Sequence, residues 1–447
     1  MNKSKILVVS ITVKSIFWHR RDLRFEDNKG LFFALSDCRE VLPIFIFDKN
    51  ILEHLNKNDQ RIIFIHQSIQ KLQKEYRKLN CQLGVFYGNP EEIIPKLVES
   101  YSIDAVYTNR DYEPYAQSRD RRIKALLDSK GILFKGYKDH VIFEKNEIIK
   151  DDGKPYTVFT PYSKKWKNNL NVSTDLKSFN TRSLAHKLFK ENSIGNIDNF
   201  PLKSMGFENK QFHKFPSSDL DENLILNYAA KRNNPSLNGT SKLSVHLRFG
   251  TISIRQLALK TMKKSESYLN ELIWRDFYQM IIFHFPHSAK NSFKAKYDFI
   301  AWENDENNFK LWCEGKTGYP LVDAGMRELN STGFMHNRVR MVVASFLTKH
   351  LLIDWRWGEA YFAEKLLDYE LASNVGGWQW ASGSGCDAAP YFRVFNPKTQ
   401  QEKFDKECEY IRKWVEEFDS PNYPNPIIEH SFARIRAIER YKKSLNS

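Results

Sequence analysis

A segment rich in tryptophan and glycine, residues 371–397, carries side chains suited to binding a flat ligand. It reads LASNVGGWQWASGSGCDAAPYFRVFNP and holds two Trp, five Gly or Pro residues before Tyr391, and the polar residues Asn374 and Asp387. This mixture predicts neither a regular helix nor a regular strand. Large rings beside flexible backbone favour a cavity wall, and an irregular core loop with buried aromatic rings is the alternative.

One predicted helix presents a face that mixes acidic, aromatic and basic side chains. Glu271, Trp274, Arg275 and Tyr278 stand in NELIWRDFYQM at spacings that place them on one side of a helix. A core stripe would be apolar, and a solvent face would not combine Trp with Tyr. The pattern favours a site where a flat polar ligand stacks and hydrogen-bonds. A buried Arg–Glu pair capped by aromatic rings is the alternative.

A second helical segment, FMHNRVRMVVASFL, brings an amide and a thioether to one face. Asn337 and Met341 are one turn apart, and Arg340 borders them. An Asn amide can bind the edge of a base or of a flavin, and Met fills space against rings. Simple helix packing is the alternative, and His336 is interpreted as a structural histidine.

Hydroxyl groups follow a glycine just before another predicted helix. In NGTSKLS, residues 238–244, Gly239 precedes Thr240, Ser241 and Ser244. Because anions bind at helix starts, this turn is a candidate phosphate cradle, and an ordinary N-cap is the alternative.

Two carboxylates, Asp368 and Glu370, follow a further predicted helix. They are candidates to accept hydrogen bonds from ribose hydroxyls or to pair with Arg340. Exposed surface carboxylates are the alternative.

The composition indicates two domains and a polyanionic partner. A chain of 447 residues is too long for one ordinary core, and 41% apolar and 14% aromatic residues, including 10 Trp, leave ample material to bury. The net charge of +14 favours nucleic acid as the partner, with general solubility as the alternative.

The five cysteines lie far apart, and no C-x-x-C or His cluster stands at metal spacing. We therefore expect a reducing compartment and no metal site. The apolar run at residues 6–11 is too short for a signal peptide or a membrane span, so a cytoplasmic protein without membrane attachment is predicted.

Strands and helices alternate in the first part of the chain. Apolar runs predict strands at 15–18, 41–47, 83–87, 105–108 and 132–136, and helical periodicity covers 61–79, 90–101 and 115–129. This alternation predicts a parallel, doubly wound sheet. No G-x-G-x-x-G follows the first strand, so the dinucleotide fingerprint is missing there.

Three regions are predicted along the chain: an α/β domain at 15–145, an interdomain connector at 146–219 and an all-helical domain at 220–447. The connector is polar and rich in Ser, Asn and Lys, whereas the last region shows helical periodicity and holds most of the Trp.

Five motifs resemble the DNA photolyase/cryptochrome family over nearly the whole chain. They are WHRRDLRFEDN at 18–28, GKTGYPLVDAGMR at 315–327, MHNRVRM at 335–341, DWRWGE at 354–359 and NVGGWQW at 374–380. Their shared order is highly specific, and the closest likeness is to class I cyclobutane pyrimidine dimer photolyases of bacterial type. The resemblance implies an N-terminal α/β antenna domain and a C-terminal helical domain that holds FAD in a bent form.

The resemblance also implies roles for single residues around the flavin. The flavin and its phosphates would be held by Tyr228, Thr240, Ser241, Lys242, Leu243, Ser244 and Asn337. Arg275 would pair with the pyrophosphate, and Arg340, Asp368 and Glu370 would bracket the ribose and isoalloxazine region. Glu370 stands where many relatives have Asp. Asn374 would lie at flavin N5, where many cryptochromes have Asp or Cys.

By the same resemblance, excited FADH⁻ gives an electron to a pyrimidine dimer that is flipped out of DNA, the cyclobutane ring opens and the electron returns. Residues expected to contact DNA or the lesion are Glu271, Trp274, Arg275, Tyr278, Asn337, Arg338, Met341, Trp380 and Gln400. Lys398 and Lys403 are candidates for phosphate contacts. Trp302, Trp355 and Trp378 occupy the family's electron-transfer positions.

The sequence opposes three alternatives to a cyclobutane dimer photolyase. A (6-4) photolyase would have His where Asn337 and Met341 stand. A cryptochrome photoreceptor often has a long C-terminal extension, whereas this sequence ends soon after an amphipathic run at 427–441. A flavin-free DNA-binding relative is opposed by the flavin and Trp positions.

The second chromophore stays open. Folate-binding relatives tend to carry Asn-Glu where this chain has Tyr115 and Ala116, although Lys290 falls at another folate-associated position. A folate, a deazaflavin, another flavin or an empty pocket all fit. The family habit implies a monomer with no obligate protein partner.

Overall fold

The computed structural model describes residues 14–190 and 194–446. The apolar run at 6–11 therefore lies outside the described residues. Five strands are described: β1 Lys14–His19, β2 Glu40–Asp48, β3 Gly84–Gly88, β4 Ala105–Asn109 and β5 Leu133–Tyr137. All five predicted strands are confirmed, and each end lies within one residue of its prediction.

The strands form one parallel sheet in the order β3-β2-β1-β4-β5. β1 is buried almost throughout, as a strand covered on both faces requires. Ile16 and Trp18 point into one apolar cluster and Phe17 into the other, because side chains alternate across a strand. The predicted doubly wound fold is confirmed, with its switch point between β1 and β4.

The described α-helices are α1 Lys29–Asp37, α2 Lys49–Leu52, α3 Gln60–Arg77, α4 Pro90–Tyr101, α5 Pro114–Asp128, α6 Phe159–Asn169, α7 Val172–Asp175, α8 Glu222–Leu226, α9 Tyr228–Lys231, α10 Ser244–Phe249, α11 Ile254–Thr261, α12 Glu266–His284, α13 Glu306–Glu314, α14 Pro320–Thr332, α15 Asn337–Ser345, α16 Trp355–Lys365, α17 Leu371–Ser382, α18 Pro397–Phe404, α19 Glu409–Trp414 and α20 His430–Asn446. Short 3₁₀ turns cover Arg182–Lys187, Ile197–Asn199, Leu202–Met205, Pro286–Ala289 and Ala295–Phe299, and a π-helical turn covers Phe346–His350. The prediction of a helical second half is confirmed.

The predicted connector divides its packing between the two halves. Tyr162 and Trp166 of α6 lie in one apolar cluster with Phe277 of α12. Leu188 and Met205 pack instead in a cluster of the α/β domain. The predicted domain limits themselves stay predictions.

One prediction from the Trp- and Gly-rich segment is wrong. Leu371–Ser382 is a regular helix, α17, and only residues 383–396 are irregular. A side chain at Gly376 would overlap the Tyr278 ring of α12, so this glycine allows close helix packing that offsets its low helix propensity. Gly383 ends the helix with a φ of 93°.

The described helices are all too short or too polar to cross a lipid bilayer. The five cysteines are free thiols. Over residues 14–190 and 194–446, no group of three His, Cys, Asp or Glu side chains is placed to hold a metal ion.

Candidate functional site

Helix α17 borders an open space at Gly377. Gly377 is exposed although Trp378 and Ala381 beside it are buried, and a side chain there would meet no atom within 4 Å. Asn374 precedes Gly377 by three residues and Trp380 follows it by three, so both flank the opening. α17 also packs against α12, α15 and α16, which bring the other predicted site residues to it.

The Asn374 side chain has a fixed orientation at this opening. Its amide nitrogen donates to the Glu359 backbone oxygen at 3.1 Å and to Glu359 Oε1 at 2.9 Å. Burial raises the pKa of Glu359, although the bond from Asn374 opposes this. Because both amide hydrogens are used, the Asn374 carbonyl oxygen is the group left to accept a further hydrogen bond.

The turn before α10 contacts α12 and the loop that precedes α15. Ser241 Oγ lies 2.9 Å from the Tyr268 hydroxyl of α12, and the Lys242 ammonium lies 5.2 Å from the centre of the Phe334 ring before α15. The ordinary N-cap alternative is wrong, because the N-cap residue is Leu243 and no side chain caps α10. Thr240 is half-buried, Ser244 is exposed, and Tyr228 packs against Tyr268.

The side chains on the predicted face of α12 contact several different partners. The Glu271 carboxylate is ion-paired with Arg232, and Trp274 contacts Tyr278 with ring centres 5.4 Å apart. Burial raises the pKa of Glu271 against the opposing effect of Arg232. The sequence did not indicate that Phe159 of α6 stacks flat on Trp274, with ring centres 3.7 Å apart.

Arg275 and Glu370 form a buried pair at the seam between the two domains. Arg275 Nη2 donates to Glu370 Oε1 at 3.0 Å, and Arg21 and His140 also contact this carboxylate. Burial alone would raise the pKa of Glu370, but Arg275, His140 and Arg21 hold it well below its usual range. The exposed-carboxylate alternative is wrong for Glu370, and the predicted pyrophosphate contact of Arg275 stays a prediction.

Helix α15, which packs against α17, begins at Asn337. Asn337 is exposed, and His336 before it is buried and accepts from the Arg338 backbone N–H at 3.2 Å. The structural reading of His336 is therefore confirmed. Burial lowers the pKa of His336 to about 4, so it is neutral near pH 7. Arg340 Nη2 donates to both Asp368 oxygens at 3.2 Å, which confirms the predicted pair.

Basic side chains gather beside Met341. Arg338 contacts Met341 Sδ and Asn233, and its cation lies 4.3 Å from the centre of the Phe404 ring in α18. Burial and the nearby Arg232 and Arg393 lower the pKa of Arg338, as expected for guanidinium groups held together. Arg393 forms no ion pair with any described residue. The sequence analysis did not single it out, although a basic residue in a loop rich in aromatic side chains could have indicated a binding role.

The three predicted electron-transfer tryptophans lie in one apolar core, with Trp355 and Trp378 buried and Trp302 half-buried. The Trp378 ring contacts Trp312, which the sequence did not single out, at 6.1 Å between centres. Trp380 contacts Phe395 of the irregular loop.

Two family models match this architecture. Residues 15–180 match the DNA photolyase model, and residues 268–422 match the FAD binding domain of DNA photolyase. A deoxyribodipyrimidine photo-lyase from Synechococcus sp. is 36% identical over 93% of this chain and 94% of its own. This chain belongs to the DNA photolyase family. Its glycine-lined opening therefore lies within the matched FAD binding domain.

Solved structures of the photolyase family share the fold. An archaeal photolyase from Sulfolobus tokodaii, which holds two FAD molecules, aligns with a TM-score of 0.84 at 36% identity, over 96% of this chain and all of the other. A class III photolyase from Agrobacterium tumefaciens aligns with a TM-score of 0.85 at 31% identity, over 99% of this chain and all of its own. Structural likeness thus extends across classes of photolyase.

Of the residues that bear on a second chromophore, Tyr115 and Ala116 lie on α5 of the α/β domain, whereas Lys290 lies in the helical half. The Tyr115 hydroxyl donates to Asp48 Oδ2 at 2.8 Å, and the Arg119 cation lies 5.5 Å from the centre of the Tyr115 ring. Ala116 is buried and Lys290 is exposed. These contacts do not select a folate, a deazaflavin or a flavin.

Proposed function

We propose that this protein uses FAD and blue light to split cyclobutane pyrimidine dimers in DNA, in the manner of a class I photolyase. The observation that carries the proposal is the exposed Gly377, flanked by Asn374 and Trp380, in a helix whose other residues are buried or half-buried. Family membership supports the same reading.

The residues around the opening fit a flavin dinucleotide. Gly377 leaves room against α17, and the uncapped turn at Thr240, Ser241 and Ser244 offers hydroxyls for phosphate oxygens, with Lys242 as a cation. Arg340 and Asp368 would hold the ribose and ring region, together with Tyr228, Leu243 and Asn337. When bound, the reduced flavin supplies the light-driven electron that opens the dimer.

Asn374 would orient the reactive ring of the flavin. The Asn374 carbonyl oxygen is the acceptor left over from its contact with Glu359. A reduced flavin carries a proton on N5, so this oxygen would accept that hydrogen bond and stabilise the reduced form.

The lesion would lie against an apolar wall beside the flavin. Trp274 and Trp380 are half-buried rings that can receive two fused bases, and Phe159 fixes the Trp274 ring from behind. Glu271 and Asn337 would bind the polar edges of the bases. The Glu271 carboxylate, which is paired with Arg232, would accept a hydrogen bond from a base N–H.

DNA phosphates would bind the basic rim around this pocket. Arg338 and Arg393 lie close together, and Lys398, Gln400 and Lys403 lie on α18, whose Phe404 packs on Arg338. Contacts to phosphate place the duplex without reading its sequence, as repair of a lesion in any context requires.

Trp378, Trp355 and Trp302 would recharge the flavin by passing electrons from an external reductant. We further propose a monomer that acts in the cytoplasm without an obligate protein partner, and an antenna chromophore of folate or deazaflavin type.

The positions of the histidines in this chain disfavour the (6-4) photolyase alternative. Asn337 and Met341 stand where that activity would need His, and the adjacent His336 is buried and used as a helix cap. No such proton donor faces the proposed lesion pocket from α15.

Dark binding tests the pocket separately from the photochemistry. The flavin-loaded protein should bind a duplex with one cyclobutane dimer roughly 100-fold more tightly than the undamaged duplex, and more tightly than one with a (6-4) lesion. Trp274→Leu should remove most of this preference, whereas Trp414→Leu, a half-buried Trp elsewhere, should keep it. Equal affinity for the three duplexes would refute the lesion pocket.

A further inference from the structure

We propose that the aromatic electron chain of this protein divides at Trp378, and that Trp312, Phe309 and Trp357 form a second route to the surface. The inference rests on the proposed function, because Trp378 must border a bound flavin. It adds a branch to the expected series of Trp378, Trp355 and Trp302.

Ring contacts define the branch without interruption. The centre of the Trp378 ring lies 6.1 Å from that of Trp312, and Trp312 lies 5.7 Å from Phe309. Phe309 in turn lies 5.2 Å from Trp357, which is half-buried. An electron can therefore move from the protein surface to Trp378 through rings in van der Waals contact.

The fold gives the Trp378 ring little freedom. A side chain at Gly358 of α16 would overlap the Trp378 indole, so this glycine lets the indole lie directly against the helix that carries Trp357. Phe362 of the same helix packs edge-on against Trp378 at 5.1 Å. The contact between Trp378 and Trp312 is thus set by close packing on α16.

Local charges and hydrogen bonds favour Trp312 as an electron donor. Its buried Nε1–H donates to the Val343 carbonyl at 3.3 Å, and this oxygen stabilises the positive charge left when the indole loses an electron. The buried Nε1 of Trp355 has no hydrogen-bond partner in the described part of the chain. The Arg356 cation also lies 4.9 Å from the Trp355 ring, although Asp354 and Asp298 pair with it.

The branch ends at Trp357 rather than at Tyr361. Tyr361 also contacts Trp312, but burial raises the pKa of its hydroxyl, which donates to Asn330 Oδ1 at 2.7 Å. Because oxidised tyrosine must lose its proton and an amide oxygen is a weak base, this endpoint is unfavourable. Trp357 is partly exposed and can release its indole proton to water.

Electrons and protons balance along the route. Trp378 gives one electron to the light-excited oxidised flavin, Trp312 gives one to Trp378, and Trp357 gives one to Trp312 across Phe309. Trp357 then loses its N–H proton to water and becomes a neutral radical. A soluble thiol outside the protein returns one hydrogen atom, that is, one electron and one proton.

Photoreduction of the flavoprotein in the presence of a thiol tests the branch. Trp302→Phe should slow photoreduction but leave a measurable remaining rate, and Trp302→Phe combined with Trp357→Phe should lower that remaining rate at least about tenfold. Trp302→Phe combined with Trp414→Phe is the matched control and should behave like Trp302→Phe alone. If Trp302→Phe alone abolishes photoreduction, or if the Trp357 change adds nothing, the branch is refuted.

A second measurement needs no flavin. In flavin-free protein, Trp312→Phe should remove the near-ultraviolet circular dichroism that coupled indoles of Trp378 and Trp312 produce, whereas Trp414→Phe should leave it. An unchanged spectrum in Trp312→Phe would refute the ring contact. Repair of dimers by chemically reduced wild-type protein tests the proposed function independently of the branch.

Discussion

Asn374 of α17 has one group free to accept a hydrogen bond, its side-chain carbonyl oxygen. Its amide nitrogen donates to two oxygens of Glu359, so its carbonyl oxygen is the group left to accept a hydrogen bond from a ligand beside Gly377. A donor on the ligand is therefore preferred over an acceptor, which matches the protonated N5 of a reduced flavin.

Replacing Asn374 by Asp should weaken the reduced state of the flavin. The change removes both donors to Glu359 and places a second carboxyl beside a buried one, which disfavours an anionic reduced ring. We expect roughly tenfold less reduced flavin at a fixed potential, equivalent to about 1.4 kcal/mol. A reductive titration against a reference dye measures this ratio.

Glu359→Gln is the matched control for this prediction. It keeps a side-chain oxygen that accepts from the Asn374 amide, so the titration should change far less than in Asn374→Asp. An Asn374→Asp protein that titrates like the wild type would remove Asn374 from N5.

The residue pattern indicated which side chains share a helix face, but it did not indicate their contacts with other elements. The spacing of Trp274 and Tyr278 on one helix is a local property and was readable from the sequence. The partners of Arg275 and Glu370 come from the α/β domain, through His140 and Arg21, and no local pattern indicates contacts over such separations.

At the scale of the element, α17 depends on two adjacent glycines with opposite surroundings. Gly376 lies against the Tyr278 ring of α12, whereas Gly377 faces open space. Helix propensity alone treats the two positions alike, at a cost of about 1 kcal/mol each relative to Ala. The packing around each glycine therefore decides whether a substitution raises or lowers the free energy of unfolding.

Gly376→Ala and Gly377→Ala should have opposite effects on the flavin-free protein. Gly376→Ala forces α12 and α17 apart and should lower the free energy of unfolding by about 1–3 kcal/mol. Gly377→Ala meets no protein atom and should raise that free energy by about 0.5–1 kcal/mol. Urea denaturation of both variants measures these changes.

Gly377→Ala should also weaken the binding of FAD. The Gly377→Ala methyl group occupies the proposed cavity, so FAD affinity should fall at least about tenfold despite the gain in stability. Equilibrium dialysis measures it. Wild-type affinity in Gly377→Ala would place the flavin elsewhere.

The strands could be predicted because each is a short apolar run bounded by turn residues. The helix α17 could not, since its glycines read locally as breaks. What makes the segment helical is the Tyr278 ring of another helix and the bond from the Asn374 amide to Glu359, both of which need the assembled fold. Tertiary packing overrode a local signal there.

At the scale of the whole molecule, the two halves meet at a buried charge network around His140. Burial, Arg21 and Arg275 lower the pKa of His140 to about 3, from an ordinary value of 6.5. The folded protein thus keeps this ring neutral where the unfolded chain would bind a proton. The contribution of His140 is complete above about pH 6.5 and is lost as the pH falls towards 3.

His140→Gln should therefore change how stability depends on pH. The wild type should exceed the variant in free energy of unfolding near neutral pH, because Gln cannot keep all the contacts to Arg21, Arg275 and Glu370. That advantage should shrink by about 1.4 kcal/mol one pH unit below the unfolded pKa. Urea denaturation at two pH values measures it, and a constant difference would show that His140 does not stay neutral.

The net charge of +14 should appear in the salt dependence of DNA binding. Affinity for dimer-containing DNA should fall steeply with salt, because bound Lys and Arg release counterions. Arg393→Gln should reduce the slope of log affinity against log salt by about 0.9, the value for one phosphate contact. Lys130→Gln, which removes an exposed cation that pairs with Glu99, is the control and should keep the slope. A flat response in the wild type would contradict the basic rim.

The central claim is a flavin within electron reach of a flipped-out pyrimidine dimer, beside Gly377 and Asn374. The most direct test illuminates the chemically reduced flavoprotein with blue light in the presence of a duplex that carries one cyclobutane thymine dimer. We expect the dimer to be converted to two thymines under light, and we expect no conversion by the same protein in darkness or by the flavin-stripped protein under light. A dimer that survives illumination of the flavin-loaded complex would contradict the account.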